Sequence, residues 1–148
     1  QALLTSVVVL SNFVTILTGT GGNAGSQAST TIIRGMALGE IEVKDTLRVV
    51  WKEIRVGALC GLILGLMNMV RMYIVSPEVG LPITIVVSVS MAVVVVLSKT
   101  IGCLLPIGAK VLHLDPAMMA GPLISTLVDA IALIFYFNIA TLLLQPFA

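Results

Sequence analysis

Charge is what this sequence has least of. Only 10% of its 148 residues are Asp, Glu, Lys or Arg, against roughly 25% in an average soluble domain, which excludes an ordinary water-covered surface. The net charge is +1 and the bases alternate with acids, so there is no electrostatic footprint for nucleic acid. Histidine occurs once. The two cysteines, Cys60 and Cys103, lie far apart in separate apolar segments with no second ligand nearby. That excludes a recognisable metal-ligand pattern and leaves both thiols as ordinary small buried residues. No nucleophile–base pair or ligand cluster is visible, which argues against an enzyme. The chain begins at Gln1 with no basic n-region or cleavage signal, and so reads as a piece of a longer protein.

What is abundant is apolar surface. Hydrophobic residues make up 58% of the chain and the mean hydropathy is +1.14. A bilayer crossing takes about 20 mainly apolar residues, and several stretches reach that length. The expected fold is therefore an all-α, polytopic membrane protein. Four apolar blocks stand out: Ala2 to about Leu38, Val56 to Val75, Pro82 to about Leu105, and Ala117 to Leu144. The first has a middle rich in small and polar residues, Gly19 to Thr31, and reads either as one long helix or as two broken at the glycines.

Between the first two blocks, residues 40–55 carry four acids and four bases, while Val43, Leu47, Val50, Trp51 and Ile54 share one helical stripe. This linker reads as an amphipathic helix at the membrane surface, or as the wet base of the next crossing. The other links, Ser76 to Leu81 and Pro106 to Leu114, are short. Arg34, Lys44, Arg48, Lys52, Arg55, Lys99 and Lys110 fall on the linker side and only Arg71 opposite. By the positive-inside rule the linker faces the cytoplasm and the C-terminus, with Gln145 and Pro146, faces outward.

Small residues recur every four positions in two rows: Gly57, Gly61, Gly65 and Gly21, Gly25, Ser29. In lipid such rows let helix backbones approach closely. Polar residues interleave only with the second. Asn23, Gln27, Thr30 and Arg34 lie along one helical face, which lipid cannot satisfy. It is either an interhelical hydrogen-bond ladder or a pore face.

One acid lies deep in the last block. Asp129 is 13 residues after Pro116 and 15 before Leu144, about 20 Å from either end of the expected helix and close to mid-bilayer. An ionised Asp at that depth costs roughly 3 kcal/mol, and no Lys or Arg in the apolar parts matches its depth. It must be protonated, reached by water, or paired with a cation. Ser125 one turn before it and Thr126 beside it add hydroxyl oxygens, and no His or Cys is at hand, which disfavours zinc and copper. A sparse oxygen site suits Mg²⁺, which keeps several waters. Two such acids meeting on a twofold axis would favour a divalent ion. Asp115-Pro116-Ala117 reads as a helix start, with Asp at the N-cap and Pro at N1, or as a support at the mouth of the path. His113 reads as an interfacial residue, and Asn68 and Asn138 as interhelical hydrogen-bond formers.

These residues resemble the MgtE family of magnesium channels and transporters. The resemblance rests on Gly19-Thr20-Gly21-Gly22-Asn23-Ala24-Gly25-Ser26-Gln27-Ala28, continued by Arg34-Gly35 and Ala37-Leu38. A second match runs from Asp115-Pro116-Ala117 through Gly121-Pro122-Leu123 and Ser125-Thr126-Leu127-Val128-Asp129 to Tyr136-Phe137. It covers essentially the whole chain. The resemblance implies a homodimer in the cell inner membrane whose interface holds a pore lined by the helices of Asn23 and Asp129. It makes Asp129 the acid of a central, largely water-mediated Mg²⁺ site, with Gly21, Gly22, Asn23 and Gly25 against it. Gln27, Ser125, Thr126 and Asp115 are lining or supporting residues, and Mn²⁺ or Co²⁺ are further candidate ions. The family's transmembrane domain has five helices, so the first is expected to be missing here, together with a cytoplasmic gate containing paired CBS domains. The implied origin is bacterial or archaeal. A proton-coupled carrier using Asp129, and a membrane assembly module using the Gly57 row, are the competing readings.

Overall fold

The computed structural model describes residues 11–144. Four long helices follow one another: α1, Val14–Ala37; α2, Thr46–Val75; α3, Leu81–Val111; and α4, Pro122–Leu144. Short 3-10 segments at Val43–Asp45, Pro77–Val79 and Pro116–Met119 connect them, and no strand occurs among the described residues. The spans Val43–Val75, Leu81–Val111 and Pro122–Leu142 are long and apolar enough to cross a membrane. The protein is all-α and polytopic, as its hydropathy requires. The part of the first block before residue 11, and Gln145 and Pro146, lie outside the described residues.

α1 runs through its glycines without a break, which decides between one helix and two over this range. It ends because Gly39 takes a left-handed φ of 73°, a conformation glycine adopts at little cost. The amides of Glu40 and Gly39 then bond back to the carbonyls of Gly35 and Met36 at 2.8 and 3.2 Å, closing a Schellman-type stop. α3 ends in the same way, but with His113 in the left-handed position at φ 58°, where Leu114 bonds back to Ala109 at 2.8 Å.

Two boundaries differ from the sequence expectation, and at a third one of two readings holds. The linker is not a separate surface helix: Thr46 opens α2, which continues unbroken to Val75, so residues 46–55 are the base of that crossing. A capping box between Glu42 and Asp45 starts the 3-10 segment that leads into it. Pro106 does not begin a link; it lies inside α3, which continues to Val111. Proline there removes one rung of the ladder, leaving the carbonyl four residues earlier, on Gly102, without its usual donor. Finally, Asp115 does cap a turn, accepting from the Ala117 amide at 2.9 Å, but the turn is the 3-10 segment Pro116–Met119. Ala120 is extended and Gly121 has a positive φ, so α4 starts only at Pro122.

α3 is the central element, with α2 packed on one part of it and α1 and α4 on others. The Gly57 row is where α2 meets α3. A methyl group on Gly61 would lie 2.7 Å from the carbonyl oxygen of Ala92, and one on Gly65 would lie 2.9 Å from that of Ser88. Two apolar clusters close the ends of the bundle: one around Leu17, Met72, Val87, Met91 and Tyr136, the other around Ile32, Met36, Cys103 and Ile107. Cys103 is thus a buried packing residue, and Cys60 is half-buried and also unpaired.

The polar contacts revise two further expectations. Asn68 does bridge helices, donating to Ser88 Oγ at 3.1 Å and accepting from Arg71 at 3.0 Å. Asn138 does not: it is exposed and donates to the carbonyl of Ile134 in its own helix. Lys99 belongs to α3 rather than to a loop and is buried. It pairs with Glu53 of α2 at 3.3 Å, each side chain only 8% exposed.

Candidate cation site

The site begins with the small row on α1. Gly21, Gly22, Gly25, Ala28 and Ser29 are buried, so α1 comes close enough to α3 and α4 for side chains of one to touch the backbone of the other. Gly25 marks the nearest approach. Its carbonyl abuts Gly102 of α3, where a side chain on Gly102 would collide with it. From the other side, a methyl on Gly25 would meet Val128 and Ile124 of α4 at 3.1 and 3.2 Å. Gly21 faces Val94, Ser98 and Val128 in the same seam. Ser29 donates to the Met119 carbonyl at 3.2 Å, tying α1 to the segment before α4.

Gly22 is different. The atoms nearest to a methyl there would be Ser125 Oγ at 3.6 Å and Asp129 Oδ1 at 3.7 Å. Ser125 and Asp129 are one turn apart on α4, so both oxygens point at the α1 backbone. Asp129 is half-buried. Among the described residues no hydrogen bond or ion pair reaches its carboxylate, and the two ion pairs present, Lys44–Glu42 and Lys99–Glu53, involve other acids.

The revised start of α4 also changes the depth of this acid. Asp129 lies 129 − 122 = 7 residues into α4, roughly 10 Å. Its neighbour Gly22 is 37 − 22 = 15 residues from the end of α1, roughly 22 Å. Measured along α1, the carboxylate lies far from that helix's end at Ala37.

The other expected residues fall into three groups. Asn23 and Gln27, with Thr30 and Arg34, line the exposed side of α1, adjacent to the Gly22 face but turned away from the chain's own helices. Thr126 is exposed and its hydroxyl donates to the Pro122 carbonyl at 2.8 Å in its own helix. Asp115 is exposed and committed to the 3-10 turn. The structure therefore brings Asp129, Ser125 and Gly22 together and leaves Asn23, Gln27 and Thr126 on an open face. No group of three His, Cys, Asp or Glu able to hold a metal occurs among the described residues. A cation here would meet one carboxylate per chain, with hydroxyl, amide and water oxygens around it.

Sequence reasoning missed the Glu53–Lys99 pair. A signal existed: Lys99 has apolar neighbours on both sides, Val93–Leu97 before it and Ile101 to Leu105 after, which is not the setting of a loop lysine.

This arrangement defines a polytopic helical membrane protein with an oxygen-bearing face and an unpaired acid beside it. The chain belongs to the MgtE family of divalent cation transporters, whose pattern matches residues 14–139. It is 37% identical over 98% of its length to a magnesium transporter MgtE of Thermus thermophilus, and 31% identical over 93% to one of Bacillus subtilis. A third relative, from Enterococcus faecalis, is 29% identical over 99% of the chain. The chain spans about a third of the length of these curated relatives, 30–32%.

Proposed function

We propose that this chain is the ion-conducting part of a Mg²⁺ transport protein, working as a homodimer whose pore is walled by α1 and α4. The observation that carries this reading is Asp129, a half-buried acid in an apolar bundle that no base or donor among the described residues satisfies. Intramembrane acids of this kind serve ion or proton pathways by default. The exposed amides of Asn23 and Gln27 beside it support the same reading, since lipid offers them no hydrogen bonds. A second copy, or water in a pore between copies, would. Two Asp129 carboxylates sharing one path would repel each other unless a divalent ion lay between them. The relatives' names as magnesium transporters support Mg²⁺ as the cargo, held through retained waters. Mn²⁺ and Co²⁺ are secondary cargo.

Movement is passive and driven by the membrane potential, in the cell inner membrane with the linker side cytoplasmic. A cytoplasmic gating domain of the longer protein acts from that side. The assembly-module reading loses its basis, because Gly57, Gly61 and Gly65 are consumed by α3 of the same chain. The proton-coupled reading keeps one support, the same lone carboxylate.

Flux into proteoliposomes tests the proposal. Mg²⁺ should enter down an imposed voltage without changing lumenal pH, and Asp129→Ala should reduce entry to the leak of empty vesicles. Unchanged flux in Asp129→Ala would sink the pore assignment, whereas a fixed proton ratio would establish the carrier. Gln27→Cys, in a Cys60→Ala, Cys103→Ala background, should give oxidised dimers if the α1 faces meet.

A further inference from the structure

Three bases on α2 are not absorbed by this reading. Arg48, Lys52 and Arg55 are exposed and lie on one helical face with Trp51. Among the described residues none of the three takes part in a hydrogen bond or ion pair. Together with Thr31 and Glu40 they line a cavity of about 600 Å³ between the end of α1 and the first turns of α2. Three acids also border this cavity, but Glu53 is cancelled by Lys99 at 3.3 Å. That leaves three bases against Glu40 and Asp45, and the Asp45 carboxylate already accepts from the Glu42 amide at 3.0 Å. The cavity is therefore suited to an anion.

The same face of α2 continues into Leu59, Leu62, Leu66 and Val70, which are 56–61% exposed and are left for acyl chains to cover. A ligand occupying this face is thus anionic at the Arg55 end and apolar beyond Leu59. Trp51, 60% exposed, sits among the three bases, one turn before Arg55, and indoles favour the headgroup layer.

We propose that this face binds an anionic phospholipid, its phosphate held by Arg48, Lys52 and Arg55 and its acyl chains laid along Leu59 to Val70. Basic pockets at the membrane surface recognise such headgroups. The apolar continuation favours lipid over free phosphate, which needs only the bases.

Trp51 is the sole tryptophan of the sequence, so its fluorescence reports this spot alone. The chain is reconstituted in phosphatidylcholine vesicles holding a minority of phosphatidylglycerol, with bromine on the acyl chains of one lipid or the other. Brominated phosphatidylglycerol should quench Trp51 as though enriched about fivefold over its bilayer share, the factor expected from even one effective base. The combined Arg48→Gln, Lys52→Gln, Arg55→Gln variant should lose that enrichment, and Lys110→Gln, at the end of α3, should keep it. Quenching in proportion to bilayer share overturns the proposal, as does enrichment that survives the triple change or vanishes in Lys110→Gln. Loss of enrichment on adding millimolar inorganic phosphate would mean a free-phosphate site and would overturn the lipid assignment. These variants change exposed side chains only, and circular dichroism checks that the helices persist.

Discussion

Gly57, Gly61 and Gly65 of α2 and Gly21 and Gly25 of α1 share one spacing and tight packing, whereas Gly22, one residue out of register with its row, has different surroundings. Gly57, Gly61 and Gly65 are pressed onto the backbone of α3, and the opposite side of α2 is apolar past Arg55. Gly22 faces two side-chain oxygens at ordinary van der Waals range, and the open side of α1 bears amides. The first row closes a seam. Gly21 and Gly25 do the same between α1 and its neighbours, while Gly22 beside them holds a backbone near a carboxylate without filling the space between them. A single step in register separates these cases, because it changes which side chains the neighbouring helix presents.

The largest expected effect probes the closed seam. Lys99→Met leaves Glu53 buried and unpaired between α2 and α3, and should cost about 3–5 kcal/mol. Adding Glu53→Leu should recover most of it, read as the unfolding midpoint in detergent. If the single change is harmless, the pair is wetter than its burial implies. Next comes Gly61→Ala, whose methyl meets the Ala92 carbonyl at 2.7 Å and should cost about 1–3 kcal/mol.

The same substitution at Gly22 should have the opposite sign. Its methyl meets nothing closer than 3.6 Å, and alanine improves helix propensity by up to about 1 kcal/mol. Stability should hold or rise while Mg²⁺ flux falls, because the methyl takes up space beside Asp129. Equal destabilisation at Gly22 and Gly61 would dissolve the distinction between Gly22 and the packed glycines. The smallest effect is outside both: His113→Gly relieves a left-handed residue and should gain about 0.5 kcal/mol, after the added freedom of the unfolded chain is subtracted.

Much of this was open to reading from residue order. Hydropathy marks α2, α3 and α4 as long and apolar enough to cross a membrane, and the period of Asn23, Gln27, Thr30 and Arg34 marks the open face of α1 before any coordinates. Asp129 stands out by its apolar setting alone. Its contact with Gly22 does not, since nothing local links residues 107 apart in the chain; the family resemblance pointed there. Glu53–Lys99 was hidden for the same reason. Pro106 misled because proline ordinarily ends a helix, whereas packing of α3 on three neighbours carries it past that point. The Asp115 cap was chemically legible, but only Gly121 in its positive-φ conformation reveals that the capped turn stops short of α4.

The contact between Gly25 and Gly102 has a mechanical consequence. With backbone against backbone, α1 has no slack to move closer to α3 there, so the contact acts as a fulcrum between the side-chain contacts on either side of it, Gly21 against Val94 and Ile32 and Met36 beside Cys103 and Ile107. That fulcrum coincides with the carbonyl that Pro106 deprives of its rung, the most compliant link of α3. A push on the far end of α3 would therefore bend it at the point on which α1 bears, swinging the amide face like a lever with a short arm and a long one.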